Sequence, residues 1–298
     1  MKKFIPAIAG TVLLFASCKE KAPYINFGQA VSVDTTYVLA AGSIPATDQH
    51  NVLVEEYTGA TCTNCPAAHE TLKEIQKSHS GRVNVIGLYI YGPLQARPPI
   101  GAKYDFRDST ATDIANEIYL GVNALPSGGV DRVPVGGLIK LDKSTWTSAI
   151  ENRLLVDDSL NLKVESGYNA TDKIDSIKVT ITYTKSVGYP HNLSIVIVED
   201  SLIDIQEYPS TDPVHPGADE EYVFTNVFRG MASSGSSGDP VLPAIPVKEP
   251  GRVQIKNYLY KLPGKVVDPK HCRVIAYINS TNTGEKRILQ STQVKMVK

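Results

Sequence analysis

From residue 50 onward the apolar positions follow one period and then another. Val52–Tyr57 is strand-like, and within Pro66–His79 the residues Ala68, Leu72, Ile75 and His79 recur at helical spacing. Val83–Tyr91 is a nearly continuous apolar run, the pattern of a strand covered on both faces. Thr110–Leu120 is a second helix, Gly128–Val133 a strand, and Gly136-Gly137 a hairpin turn into Leu138–Leu141. Ser144–Leu155 closes this half as a helix, with Ser144 as its N-cap. Upstream, one strand-like run, Ala30–Ala40, stands among Pro, Gly, Ser and Thr.

Beyond Val156 the helical period disappears. Short alternating runs follow at Asn161–Tyr168, Ile174–Tyr183, Leu193–Glu199, Tyr222–Phe228, Arg252–Tyr260, Arg273–Ile278 and Ile288–Val297. Such runs predict an antiparallel β-sandwich of the Ig-like kind. Ser233–Pro246, rich in Ser, Gly and Pro, reads as a long mobile loop. The expected fold class is therefore α/β plus all-β, with an α/β domain over 49–156 and a β-sandwich over 157–298. A length of 298 residues suits about two domains.

The N-terminus reads as an address. Met1-Lys2-Lys3 precedes an apolar stretch, Phe4–Ala16, too short to span a bilayer but suited to a signal peptide over 1–17. Ala16-Ser17-Cys18 resembles the lipobox of bacterial lipoproteins. That resemblance implies lipidation at Cys18, a tether with one strand over 18–48, and a lipid-anchored protein of the cell outer membrane, facing the periplasm or the surface. Such a compartment allows disulfides to persist.

Composition excludes several classes. Hydrophobic residues make up 42% and charged residues 20%, as in an ordinary globular chain. Thirty basic residues balance thirty-one acidic ones, so there is no electrostatic footprint for nucleic acid.

The candidate chemistry sits at Cys62-Thr63-Asn64-Cys65. A strand, the loop Thr58–Thr61 and then C-x-x-C opening a helix place the first sulfur at a helix N-terminus, where a thiolate is favoured. Leu125-Pro126 lies just before the next strand. Three readings of the cysteine pair stand side by side: thiol–disulfide exchange, a structural disulfide, and a metal site in which His69 completes C-x₂-C-x₃-H. The metal reading lacks a fourth ligand, so no metal or other cofactor is expected. Cys272 begins an apolar run and reads as a buried, inert thiol. Arg229 reads as a sandwich ion pair or as an anion site, and Gly92–Pro99 as an insertion or the edge of a partner groove.

The strand, C-x-x-C, helix and downstream proline together resemble the thioredoxin-like fold. The resemblance implies Cys62 as attacking thiol, Cys65 as resolving thiol, Pro126 as a cis-proline facing them, and Glu56 as a buried proton carrier, with Glu55 as its alternative. No Trp precedes Cys62, and the dipeptide is Thr-Asn, not Gly-Pro. More closely, Glu55–Gly59 followed by Cys62-Thr63-Asn64-Cys65-Pro66, with Asn226–Arg229, resembles the Omp28-related outer-membrane lipoproteins. The expected function is thiol–disulfide exchange with protein thiols or disulfides of the envelope. The alternative is a surface binding or adhesion lipoprotein whose C-x-x-C is a structural bridge. Exchange calls for an exposed Cys62 sulfur and a groove toward Pro126.

One triplet is over-represented. Asp-Ser/Thr followed by an apolar residue or Thr occurs at Asp34, Asp108, Asp158, Asp175 and Asp200, where composition predicts about one. It resembles the acceptor of general O-glycosylation in some Gram-negative envelopes; Asp-Ser turns are the plainer reading.

Overall fold

The computed structural model describes residues 34–297. Cys18, the signal-like stretch and residues 30–33 of the first strand-like run lie outside the described residues. In chain order the elements are β1 (Thr35–Val38), β2 (Val52–Thr58), α1 (Cys65–Ser78), β3 (Val83–Tyr89), α2 (Ser109–Tyr119), β4 (Ser127–Val130) and α3 (Trp146–Leu154). Then come β5 (Leu160–Asn169), β6 (Ile174–Tyr183), β7 (His191–Glu199), β8 (Leu202–Glu207), β9 (Ala218–Phe224) and β10 (Val227–Met231). The last strands are β11 (Asp239–Pro240), β12 (Arg252–Lys261), β13 (Cys272–Ser280) and β14 (Ile288–Lys295).

One mixed sheet runs β14-β13-β7-β10-β3-β2-β4, with β11 on the end of β7. It draws strands from both sides of residue 156. The junction is the parallel contact of β10 with β3, where Val227 pairs with Gly87. Successive side chains of β2 point to opposite faces, and each face is buried by different helices. Val52 and Val54 join Ala68, Leu72 and Ile75 of α1 and Trp146 and Ile150 of α3. Leu53 and Tyr57 join Ala111, Ile114 and Ile118 of α2. Farther along, a four-stranded sheet, β1-β12-β6-β5, packs on β7 and β13 through Val179, Ile181, Ile195, Ile197, Val274 and Ala276. Each such side chain contributes about 1.5–3 kcal/mol by leaving water.

Several elements differ from the sequence expectation. The run Tyr222–Phe228 is two strands, β9 and β10, divided at Thr225-Asn226, where Asn226 takes a positive φ of 59°. β8 was not expected, because its buried positions include Asp204 and Gln206 while Ile203 faces out. The pattern is inverted because Asp204 accepts the backbone N–H groups of Lys103 and Tyr104. The strand from Gly128 ends at Val130, since Asp131 and Arg132 turn to positive φ. Leu138–Leu141 forms isolated bridges, not a strand. The turn before α3 is capped by Asp142, which accepts the Ser144 N–H, so Ser144 is not the cap. Ser233–Pro246 is packed down: Val241 is buried, and Ser233 Oγ accepts the Ile195 N–H.

Candidate functional site

Cys62 and Cys65 are joined as a disulfide with Cα atoms 5.3 Å apart. Helix α1 starts at Cys65, so Cys65 holds the first helical position while Cys62 lies in the preceding turn. The Cys65 N–H closes that turn on the Cys62 carbonyl at 3.0 Å. The expectation of a sulfur at the helix N-terminus is thus met by Cys65, not by Cys62. Nor is Cys62 exposed: it retains 2% of its accessible surface, and Cys65 none.

Two segments cover the disulfide loop. Ala60 accepts the Glu207 N–H at 2.8 Å, and the buried Gln206 amide donates to the Cys62 carbonyl at 3.2 Å, both from β8. On the other side the Thr61 N–H and hydroxyl donate to the carbonyls of Gln95 and Leu94. That approach requires Gly59, because a Cβ there would lie 2.0 Å from the Gln95 oxygen. The Gly92–Pro99 stretch therefore does reach the cysteine loop, as a backbone cover.

Pro126 follows a cis peptide bond from Leu125 and precedes β4. The register Tyr57–Ser127 places it at the end of the sheet from which the Gly59–Cys62 loop departs. The groove beside the cysteines runs along Thr63, Asn64, Pro66, Tyr208 and Pro209, without Pro126 in its lining.

Beneath α1 lies Glu56, 3% exposed, facing the helix from β2. Burial alone pushes its carboxyl up to about 8, so the acid is largely neutral at pH 7. Its Oε1 has no hydrogen-bond partner. His69 Nε2 lies 3.3 Å from it. His69 stands one turn after Cys65 on α1, and both its ring nitrogens are engaged: Nε2 lies 2.7 Å from the Thr58 hydroxyl and Nδ1 2.7 Å from the Tyr222 hydroxyl of β9. Burial lowers this imidazole to about 4, keeping it neutral. With those nitrogens occupied and the sulfurs bonded to each other, the C-x₂-C-x₃-H donor set is not available to a metal. No other group of three potential ligands was found among the described residues.

Glu56 also floors an open cleft of about 470 Å³ between α1 and the start of β10. Its register partner Gly87 contributes no side chain there.

A family model, outer membrane protein Omp28, matches residues 114–298. The chain belongs to the Omp28 family. The matched region includes Pro126 and Tyr222 but begins after Cys62 and Cys65, so family membership by itself says nothing of the cysteine pair. Among solved structures, HBP35 of Porphyromonas gingivalis is similar with a TM-score of 0.59 at 14% identity, over 85% of this chain and 77% of that one. A protein from Agrobacterium tumefaciens, AGR_C_4864, gives 0.47 at 13% identity over 84% and 96%. A domain of the outer membrane lipoprotein Omp28 from Porphyromonas gingivalis gives 0.32 at 14% identity over 48% and 91%. At such identity HBP35 speaks to the fold alone. No curated protein matches the chain.

In this Omp28 family member the remaining charged candidates are internal. Glu55 points away from Glu56 and takes two bonds from Arg132, at 2.7 and 2.8 Å, plus one from the Tyr119 hydroxyl at 2.5 Å. Both of its oxygens are thus taken up by these bonds, unlike Oε1 of Glu56. Arg229 donates to Glu199 at 2.6 Å, the ion-pair reading, and its guanidinium lies over Phe106. Cys272 is fully buried, which pushes its thiol up to about 12. No helix among the described residues is long and apolar enough to cross a membrane.

Sequence reasoning missed Gln206 and Tyr222, which reach the site from more than 140 residues away. The alternation Leu202–Glu207 was the available signal for β8, but it carries no information about docking.

Proposed function

We propose that this Omp28 family member is an envelope lipoprotein, anchored through Cys18, that exchanges disulfides with protein partners through Cys62 and Cys65. On this reading residues 49–156 act as a thioredoxin-like unit and residues 157–298 as an Ig-like partner-selecting unit. The observation that carries it is Glu56. A buried carboxyl with an unpaired oxygen costs free energy that no contact at Oε1 offsets, and a catalytic role is one reason a fold retains such a group. Here it holds a proton near neutral pH in the layer under α1, the helix that Cys65 opens.

The exchange proceeds in two steps. A partner thiolate attacks Cys62 Sγ; the Cys62–Cys65 bond breaks, and its electron pair leaves on Cys65, which takes a proton from Glu56. A second partner thiolate then attacks the partner sulfur of the mixed disulfide and releases Cys62 as thiolate. Two electrons pass from the partner dithiol to the cysteine pair, and the reverse sequence reduces a partner disulfide. Neutral Glu56 serves as donor in one direction and ionised Glu56 as acceptor in the other.

A second reading is favoured by one observation. Both cysteines are buried beneath β8, as a stabilising bridge in a surface-binding protein would be. The two readings separate in a trapping experiment. With Cys65→Ser in the full chain, Cys62 has no resolving partner, and exchange predicts mixed disulfides with envelope proteins that dithiothreitol releases. Absence of such adducts at native expression level supports the structural bridge.

A further inference from the structure

The hairpin formed by β8 and β9, which covers Cys62, also carries Tyr222 to the imidazole beside Glu56. The Tyr222 hydroxyl lies 2.7 Å from His69 Nδ1, and His69 Nε2 faces Glu56 Oε1 at 3.3 Å. A neutral imidazole has one N–H, and which nitrogen carries it is set by the partner of the other. A tyrosine hydroxyl can donate or accept.

We propose that Tyr222 is a positioning residue that allows His69 to change tautomer as Glu56 gains or loses its proton. With Glu56 protonated, the carboxyl donates to Nε2, and the Nδ1–H donates to the Tyr222 oxygen. With Glu56 ionised, the Nε2–H donates to the carboxylate, and the Tyr222 hydroxyl donates to Nδ1. Thr58, whose hydroxyl lies 2.7 Å from Nε2, holds that nitrogen in the structure and yields it to Glu56 for the switch to work. The 3.3 Å contact is within hydrogen-bond distance but not aligned for a bond, so a rotation of the Glu56 carboxyl makes it in either state. No net charge moves onto the imidazole, which suits a ring that burial keeps neutral.

The groups facing Glu56 are few. From α1 they are His69, Lys73 and Lys77; across the cleft Arg273 is paired with Asp200 at 2.8 Å. Tyr89 of β3 and Tyr222 of β9 complete the set, each held by burial above the ordinary phenol range. None of these, His69 included, is hydrogen-bonded to Oε1 in the structure; His69 Nε2, 3.3 Å away, can follow its charge by changing tautomer. The same tyrosine sits on the hairpin that covers Cys62. Lifting the hairpin to expose the sulfur therefore also releases the imidazole, which ties partner access to acid–base state. This last consequence rests on the exchange reading; the tautomer switch does not.

The test uses the oxidised full chain with ¹⁵N-labelled histidine, and Glu56 followed by its carboxyl infrared band as the difference from Glu56→Gln. In the native chain the His69 tautomer should change over the pH range in which Glu56 titrates. In Tyr222→Phe the ring is retained, but Nδ1 has no partner, so His69 should stay in the Nε2–H form throughout. The protonated acid then loses its acceptor, and the Glu56 midpoint should fall by about half a pH unit or more. A His69 tautomer that ignores Glu56 in the native chain overturns the proposal. So does a Tyr222→Phe chain with the native midpoint and tautomer change. Because the disulfide stays intact, a shift here together with an inert cysteine pair would reject exchange and keep the switch.

Discussion

Glu55 and Glu56 are adjacent in sequence and lie on opposite faces of β2, one clasped by Arg132 and the other bonded to nothing at Oε1. The two carboxylates should respond oppositely to removal of charge. Glu55→Gln strands the buried Arg132 and should cost about 3–5 kcal/mol in unfolding free energy.

Glu56→Gln should do the reverse at alkaline pH. The folded carboxyl titrates near 8 and the unfolded one near 4.5, so both are protonated in acid and there is no penalty. As pH rises from 4.5 toward 8 the unfolded chain ionises first, and native stability falls. The variant should lack that slope and be about 2 kcal/mol or more stabler than the native chain at pH 8.5 by urea unfolding.

His50 supplies a second alkaline loss at a different place. Burial pulls its imidazole down, but hydrogen bonds and charges from Asp131 and Asp158 outweigh that and lift it to about 9. Its nitrogens lie 2.6 Å from Asp131 and 2.9 Å from Asp158, joining the end of β4 to the start of β5. A raised folded value gives stability that is complete below pH 6.5 and is lost as pH passes 9. His50→Ala takes the cation from Asp158 and leaves Asp131 with Arg153 at 2.8 Å, and should cost about 3 kcal/mol at pH 6, falling as pH approaches 10.

These pairings show what the sequence could and could not reveal. Runs with one dominant period, such as Ile174–Tyr183, were read to the residue, because burial on one face imposes alternation. Cys62 and Cys65 stood out through local spacing along a strand–loop–helix, whereas Glu56 and Pro126 were singled out by the resemblance to the thioredoxin-like fold. Tyr222, Gln206 and the His50–Asp131–Asp158 cluster were not, since each joins segments far apart in sequence by hydrogen bonds that leave no periodic trace. β8 was missed for a related reason: its buried face carries Asp204 and Gln206 to serve neighbouring backbone, which inverts the expected pattern.

Gln206 is the latch most open to test. Its amide donates to the carbonyls of Gly59 and Cys62, and its own oxygen is unpaired. Gln206→Ala should loosen β8 over the disulfide and raise the rate of reduction by dithiothreitol about tenfold, the effect of roughly 1.4 kcal/mol less for local opening. An unchanged rate would place the barrier elsewhere, in the Leu94–Ala96 cover.

The Asp-Ser/Thr triplets differ in access. Thr35, Ser109, Ser176 and Ser201 are exposed, whereas Ser159 is half-buried and its carbonyl holds the Thr184 and Lys185 N–H groups. If the triplets are glycan acceptors, peptide mass mapping of the native protein should find glycan at the first four and not at Ser159; unmodified peptides at all five remove the reading.

The most direct test of the exchange account is the equilibrium reduction potential of the Cys62–Cys65 pair, measured by thiol trapping in glutathione buffers. Exchange predicts a value between about −270 and −120 mV, the span from thioredoxin to strongly oxidising periplasmic enzymes. A value below about −300 mV would contradict it, because a pair that stable neither gives nor takes a disulfide in the envelope.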